Sequence, residues 1–130
     1  MRPEVLILDE PTAGLDPRGR TEIIRNIMNF KASHGATVIL VTHNMEEIAR
    51  SVDRLVLLDG GNIVMDGTPA DVFSEAALLA ELGLAAPKAS MIAARLRALG
   101  LPIRTGIYTI EQLHQSLVRL KSEGGGDAHA

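Results

Sequence analysis

The sequence predicts an α/β fold with a mostly parallel sheet, and three apolar runs carry that prediction. Residues 5–8 and 37–42 are nearly continuous apolar stretches of strand length, which is typical of parallel strands covered on both faces. Residues 54–59 form a third run, and Gly60-Gly61 after it favours a two-residue hairpin turn into an antiparallel partner. Helically spaced apolar residues separate the first two runs, and this strand–helix–strand order is the usual pattern of a parallel sheet.

Capping residues predict where the first helices begin and end. Asp16 before Pro17 is typical of an N-cap followed by proline at the first helical position. Gly35 then predicts the end of the same helix, because glycine adopts the left-handed conformation that closes many helices. Asn44 predicts the cap of a short helix that reaches Ser51.

The rest of the chain is predicted to be mainly helical. Residues 68–69, Thr-Pro, repeat the cap-and-proline pattern, and a short helix plus a linker are expected in 74–86. A helix over 88–99 precedes another that starts at a capping box of Thr109 and Gln112. Apolar positions on these last two helices are expected to meet: Ile92, Leu96 and Leu99 on one, and Ile110, Leu113, Leu117 and Leu120 on the other.

Composition argues against several classes of protein. Lys and Arg number 13 against 16 Asp and Glu, so no basic surface for nucleic acid or anionic lipid is expected. The sequence contains no cysteine, which excludes disulfides and cysteine-ligated metal sites. No apolar run approaches the ~18 residues needed to cross a bilayer, so any membrane role is expected to come through a partner.

Two adjacent carboxylates, Asp9 and Glu10, end the first predicted strand. Successive side chains on a strand point to opposite faces, so the two acids can do different work. One can hold Mg²⁺ through water, because magnesium keeps much of its hydration shell. The other can orient and deprotonate an attacking water.

Residues 6–17, which read LILDEPTAGLDP, resemble the Walker B motif and D-loop of ABC transporter ATPases nearly residue for residue. His43, at the end of the next strand, matches the switch histidine of that family. Residues 59–69 are similar to the hairpin and following helix of the same family. The resemblance implies part of a P-loop NTPase fold, ATP and Mg²⁺ as cofactors, and ATP hydrolysis as the activity.

The resemblance also implies roles for single residues. Asp9 would be the Walker B aspartate near Mg²⁺, bound through water, and Glu10 would be the general base that acts on the hydrolytic water. His43 would contact the γ-phosphate, since an imidazole offers one donor and one acceptor nitrogen.

The D-loop of the family corresponds to four residues of this chain. It crosses to a second nucleotide-binding domain, so the resemblance implies a second ATPase subunit, in a homodimer or a heterodimer, and places these residues at the nucleotide site: Ala13, Gly14, Leu15 and Asp16.

Residues 14–21 nearly match the phosphate loop G-x-x-x-x-G-K-[ST], and we reject that interpretation. Arg20 replaces the lysine, Pro17 removes a backbone donor, and Asp16 would place negative charge against phosphate. The family's phosphate loop, Q-loop and signature motif precede its Walker B strand and have no counterpart in this sequence. We therefore expect the chain to be the C-terminal part of a longer ATPase and to be inactive alone.

The second half of the sequence is similar to energy-coupling factor transporter ATPases, which drive vitamin and metal-ion uptake in prokaryotes. Residues 95–102 and 108–113 carry this similarity, which is to their small C-terminal helical domain. The predicted domains are the C-terminal half of a nucleotide-binding domain (1–73), a linker (74–86), a helical domain (87–121) and a disordered tail (122–130).

This resemblance implies integral membrane transport subunits as partners and a peripheral location on the cytoplasmic face of the cell membrane. No nucleic-acid partner is expected. Whether residues 87–121 fold onto the body as a helical hairpin or pair two ATPase subunits stays open at this point. Two other functions remain as alternatives. One is a non-catalytic assembly module that dimerises through 87–121, and the other is a chromosome-maintenance ATPase, which the lack of heptads and basic patches disfavours.

Overall fold

A computed structural model describes residues 3–124 and has an α/β fold, as predicted. Each strand and helix expected from the sequence is present. In chain order the elements are β1 (Val5–Asp9), α1 (Pro17–His34), β2 (Thr37–Val41), α2 (Met45–Ser51), β3 (Leu55–Asp59), β4 (Asn62–Gly67), α3 (Pro69–Ser74), α4 (Ala76–Glu81), α5 (Lys88–Ala98) and α6 (Ile110–Gly124).

The chain divides into two compact units, one up to Glu47 and one from Ile48 onward. The first contains β1, α1, β2 and the start of α2, and the second contains the remaining elements. The boundaries proposed above for the nucleotide-binding segment, the linker and the helical domain stay predictions.

In the first unit, β1 and β2 form a parallel pair connected through α1. The helix begins and ends as its sequence predicts. The Asp16 side chain caps it by accepting a hydrogen bond of 2.7 Å from the backbone amide of Gly19, and Gly35 closes it with a left-handed φ of 61°. The helix packs against β2 and buries Ile27. Because α1 connects β1 to β2 as a crossover between parallel strands, the carboxyl ends of both strands lie at the same edge of the sheet.

One face of the β1–β2 pair is uncovered by the described residues, so the prediction of strands buried on both faces is wrong for them. Val5, Ile7, Ile39 and Val41 alternate onto this exposed sheet face, and between 45% and 65% of each residue's surface is accessible. The apolar residues of the opposite face are half-buried. The difference arises because the unit provides one helix, α1, and a single helix covers one face of a sheet.

The second unit contains an antiparallel hairpin, β3–β4, rather than a continuation of the parallel sheet. The described strands therefore form two separate pairs and not the single sheet that was expected. Gly60 and Gly61 both have positive φ and make the predicted tight turn, whose short loop closes at small entropic cost. Arg54 clamps Asp66 across the hairpin with two hydrogen bonds of 2.8 and 2.6 Å.

The predicted contact between the last two helices is confirmed for Leu96, Leu113 and Leu120, but the rest of the α5 face differs from the one predicted. Ala89 and Ala93 on α5 meet Leu113 on α6, and Leu96 and Leu120 pack beside them. Ile103 and Ile107, from the loop between the helices, fill the space that the longer α5 side chains were expected to occupy. Of the residues expected in this contact, these are exposed instead: Ile92, Leu99, Ile110 and Leu117.

The last helix begins where the sequence predicts and extends slightly further. Thr109 accepts from the Gln112 amide while Gln112 accepts from the Thr109 amide, which is the predicted capping box. The helix ends at Gly124. The remainder of the segment predicted to be disordered lies outside the described residues.

We expect the exposed sheet face to make this chain self-associate, because contiguous apolar surface beside an open strand edge favours pairing between molecules. Replacing the cross-strand neighbours Ile7 and Ile39 by Thr keeps the β-branched shape and removes apolar area. The double variant should raise the monomer fraction in sedimentation velocity. Ile63→Thr, on β4 and as exposed as Ile7 at 65%, is the matched control and should leave association unchanged. A monodisperse wild-type chain at high concentration would contradict this expectation.

Candidate functional site

The parallel register of β1 and β2 brings two polar segments to the same edge of the sheet. Asp9 lies opposite Val41 at the end of the pair, and the Glu10 amide donates to the Val41 carbonyl at 2.8 Å. Thr42 and His43 follow directly after β2. Glu10 and His43, to which the resemblance gives roles at the nucleotide, thus lie at the same edge of the sheet, and those roles stay predictions.

The Glu10 carboxylate is held by three donors from the segment after β2. His43 Nδ1 lies 2.7 Å from Oε1, and the His43 backbone amide donates to the same oxygen at 3.2 Å. The Thr42 hydroxyl donates to Oε2 at 3.2 Å. The pair is accessible, since 83% of the His43 side chain and 35% of the Glu10 side chain face solvent. Ligand-sized molecules can therefore reach both groups.

The contact with His43 lowers the pKa of Glu10 below the usual range for a glutamate, and the Thr42 hydroxyl and the charge on His43 act in the same direction. Partial desolvation opposes the shift. An ionised carboxylate only accepts hydrogen bonds, so Nδ1 of His43 is the protonated nitrogen and Nε2 faces away from the pair. Glu10 is thus a carboxylate able to accept a proton, and His43 presents a second ring nitrogen to whatever binds beside it.

Glu10 has a left-handed backbone, with φ of 46°, and is the one described non-glycine residue with positive φ. Such a conformation costs on the order of 1–3 kcal/mol in a residue with a Cβ and persists where surrounding contacts impose it. Here the hydrogen bonds of its amide, its carbonyl and its carboxylate impose it. The turn ends strand alternation at Glu10 and aims its side chain at His43.

Asp9 keeps the strand alternation and lies on the same face as Ile7, at the carboxyl end of the exposed sheet face. Its carboxylate is separated from the Glu10–His43 pair by the turn in the backbone. Within residues 3–124 no cluster of three acidic or histidine side chains could cage a metal ion. One exposed carboxylate nevertheless suits Mg²⁺, which binds through one or two carboxylates while keeping water and substrate phosphate as its other ligands.

The loop of residues 11–16 is a compact turn whose middle is exposed. The Ala13 amide donates to the Glu10 carbonyl at 3.1 Å, and the Leu15 amide donates to the Thr12 carbonyl at 3.2 Å. Gly14 has a φ of 76°, which glycine adopts without strain. Ala13, Gly14 and Leu15 therefore project from the protein next to Glu10, in an arrangement suited to contact with another molecule.

The structure supports rejecting residues 14–21 as a phosphate loop. Asp16 occupies the start of α1 with its carboxylate, which accepts from the Gly19 amide that a phosphate would need. A Cβ at Gly19 would lie 2.9 Å from that carboxylate oxygen, so a larger residue there would make the Asp16 side chain shift. Arg20 turns back and donates from Nε to the Leu15 carbonyl at 2.9 Å.

Sequence reasoning missed a second set of contacts between the two strand ends. The Thr12 hydroxyl lies 2.7 and 2.8 Å from the two carboxylate oxygens of Glu47, and Asn44 donates to the same carboxylate at 3.0 Å. Asn44 also accepts from the Glu46 and Glu47 amides, as its predicted capping role requires. The sequence does contain the Asn-x-x-Glu spacing of a capping box at Asn44 and Glu47. It contains no local signal that Thr12, 35 residues before Glu47, is the partner of this glutamate.

The sequence and the structure of this chain are both similar to ATPase components of transporters. The chain is 44% identical over 119 residues to the energy-coupling factor transporter ATP-binding protein EcfA2 of Caldanaerobacter subterraneus, and 45% identical over 121 residues to EcfA1 of Clostridium novyi. These matches cover 92% and 93% of the chain. The chain is homologous to part of an ABC transporter ATPase. The predicted resemblance to the energy-coupling factor ATPases is confirmed.

A structural match and a family model agree with this assignment. The solved structure of cbiO1 from Clostridium perfringens, described as part of the ABC transporter complex cbiONQ, superposes with a TM-score of 0.53 at 33% identity. It matches 75% of this chain and 35% of cbiO1. Residues 1–49 also match a family model described as an AAA domain, putative AbiEii toxin, Type IV TA system. The predicted P-loop NTPase fold of the ABC class is thereby confirmed.

The chain spans 42% of the length of the Caldanaerobacter relative and 43% of the Clostridium novyi relative. None of the helices in residues 3–124 combines the length and the apolar character of a membrane span.

We expect His43→Ala to raise the pKa of Glu10 towards its usual value, because the imidazole contact is the largest cause of the lowered pKa. Carbon-detected NMR titration of the Glu10 carboxyl group measures this directly. His114→Ala, on the exposed surface of α6, should leave the titration unchanged.

The lowered pKa of Glu10 also makes the stability of the fold depend on pH. A folded-state pKa below the unfolded value stabilises the fold above the ordinary glutamate pKa, and this contribution is lost as the pH falls through the folded value. Wild type and His43→Ala should therefore differ in stability at neutral pH and converge in acid. An unchanged Glu10 titration in His43→Ala would refute the assigned cause.

Proposed function

We propose that this chain contributes the hydrolytic half-site of an ABC-type importer ATPase. The observation that carries the proposal is the pairing of Glu10 with His43 at the edge of the sheet, directly after Asp9. This pair combines an ionised carboxylate with an imidazole that has one nitrogen free of the contact, which is the chemistry required to orient a water against a phosphate. The homology to ATP-binding proteins of transporters supports ATP as the substrate.

In this proposal Glu10 accepts a proton from the attacking water, and His43 uses the imidazole edge away from Glu10 to contact the γ-phosphate. Asp9 would hold Mg²⁺ through water, and the bound ion would neutralise charge on the phosphates. Because 83% of the His43 side chain is exposed, the histidine can reach a nucleotide without rearrangement of its strand.

The exposed loop of Ala13, Gly14, Leu15 and Asp16 is proposed to contact a second ATPase subunit at the nucleotide. Its compact internal hydrogen bonds and its position beside Glu10 support this role. The second subunit is either another copy of the same ATPase or a paralogue, in a homodimer or a heterodimer.

We propose further that the complete ATPase works at the cytoplasmic face of the cell membrane, bound to integral membrane subunits, and powers uptake of a vitamin or a metal ion. Support comes from the names of the homologues, which are ATP-binding components of energy-coupling factor transporters. The cbiO1 structure is likewise described as one part of a transporter complex.

The first test is hydrolysis by the full-length ATPase subunit that carries these residues. Glu10→Gln should lower kcat by about 10²–10⁴-fold, the usual contribution of a general base, while ATP binding persists. Glu22→Gln makes the same chemical change on the exposed surface of α1 and should retain full activity. Equal turnover by Glu10→Gln and Glu22→Gln would refute the assignment of Glu10 as the base.

The 130-residue chain by itself should neither hydrolyse ATP nor bind it tightly. The sequence provides no phosphate loop, and the helix start that most resembles one is occupied by Asp16. Millimolar ATP with Mg²⁺ should accordingly leave the melting temperature unchanged, because a ligand stabilises a fold only by binding it. Magnesium-dependent turnover by this chain that Glu10→Gln abolishes would overturn the prediction.

A further inference from the structure

Two bridges connect the ends of β1 and β2, and they differ in exposure. The outer bridge joins Glu10 to Thr42 and His43 and is open to solvent. The inner bridge joins Thr12 to Glu47, and only 4% of Thr12 is accessible. Each bridge crosses from the segment after β1 to the segment after β2.

The outer bridge is poorly suited to hold the two segments in place during a reaction. Under the proposed function, Glu10 takes a proton from the attacking water, so the ionised carboxylate that accepts from His43 is neutralised and their mutual contact changes. A contact that changes cannot also fix the distance between its partners. The Glu10 amide is tied to the Val41 carbonyl at the strand ends, so what a further interaction has to fix is the loop after Glu10 relative to the segment after β2.

The inner bridge has the properties of such an interaction. The Thr12 hydroxyl contacts both oxygens of Glu47, and Asn44 donates to the same carboxylate, so the acid is satisfied from both strand ends. Hydrogen bonds to a carboxylate are stronger than neutral ones, and the contact is partly buried because Thr12 is buried while Glu47 is half-buried. The Ala13 amide donates to the Glu10 carbonyl, which transmits the anchored position of the loop to Glu10.

We propose that Thr12 and Glu47, aided by Asn44, are positioning residues that fix the register between the Glu10 turn and the His43 segment. None of the three is assigned a contact with nucleotide. The inference rests on the proposed function for its effect on catalysis. It rests on the described contacts for its effect on the loop.

The catalytic arm uses the full-length ATPase subunit and compares Thr12→Val, Thr12→Ser and Thr21→Val. Valine keeps the size of threonine but removes the hydroxyl, so kcat should fall about tenfold, in keeping with loss of one partly buried hydrogen bond to a carboxylate. The KM for ATP should stay unchanged, because Thr12 does not touch the nucleotide in this proposal. Thr12→Ser keeps the hydroxyl and should restore kcat. Thr21→Val removes an exposed hydroxyl on α1 and is the matched control.

A coupling measurement identifies the partner of Thr12. Glu47→Ala should lower kcat to a similar extent, and Thr12→Val combined with Glu47→Ala should cost little more than either change, since both cut the same contact. Additive losses would show that the two residues act separately and would overturn the proposal.

The structural arm uses the 130-residue chain in the Ile7→Thr, Ile39→Thr background and does not depend on ATP. Amide hydrogen exchange at Ala13 and Leu15 should accelerate about tenfold in Thr12→Val, because the loop loses its anchor. Exchange should be normal in Thr12→Ser and Thr21→Val.

The outcomes separate the two proposals. Absence of ATP turnover in the wild-type subunit would refute the proposed function, and the exchange data would still decide whether Thr12 and Glu47 anchor the loop. The positioning role would be refuted if Thr12→Val left kcat unchanged or raised the KM for ATP about tenfold. It would also be refuted if Thr12→Ser failed to restore activity.

Discussion

The parallel register between β1 and β2 is the constraint on which the rest of the site depends. Parallel strands present their carboxyl ends at one edge, so residues that are 33 positions apart, Glu10 and His43, come within a hydrogen bond of each other. A slip of one residue would move Asp9 to the opposite face and separate the pair. The crossover helix, with its Asp16 cap and Gly35 end, fixes that register by setting the length of the connection.

Local patterns in the sequence were sufficient to predict the helices and strands. Caps and turns depend on residues a few positions apart, so Asp16 and the box of Thr109 and Gln112 marked their helices correctly. Glu10 and His43 come just after the carboxyl ends of two parallel strands, so strand polarity places them near one another, while their catalytic roles stay predictions. Homology over 92% of the chain to transporter ATP-binding proteins then agreed with the motif.

The remainder depends on contacts between distant residues, and no local pattern specifies those. Ile103 and Ile107 enter the core from a loop, so the periodicity of α5 predicted only part of its packed face. The partner of Thr12 lies on another helix. The left-handed Glu10 is imposed by hydrogen bonds from a separate strand, while its own residue type argues against that conformation.

That left-handed glutamate has a consequence for how substitutions at position 10 are interpreted. Glycine or asparagine there would relieve backbone strain, but it would also remove the carboxylate that His43 and Thr42 hold and that is proposed as the base. β-branched replacements would add strain to the same loss. One residue therefore combines a strained backbone with side-chain contacts that need a carboxylate, so a glycine or asparagine substitution at position 10 exchanges conformational strain for the loss of those contacts.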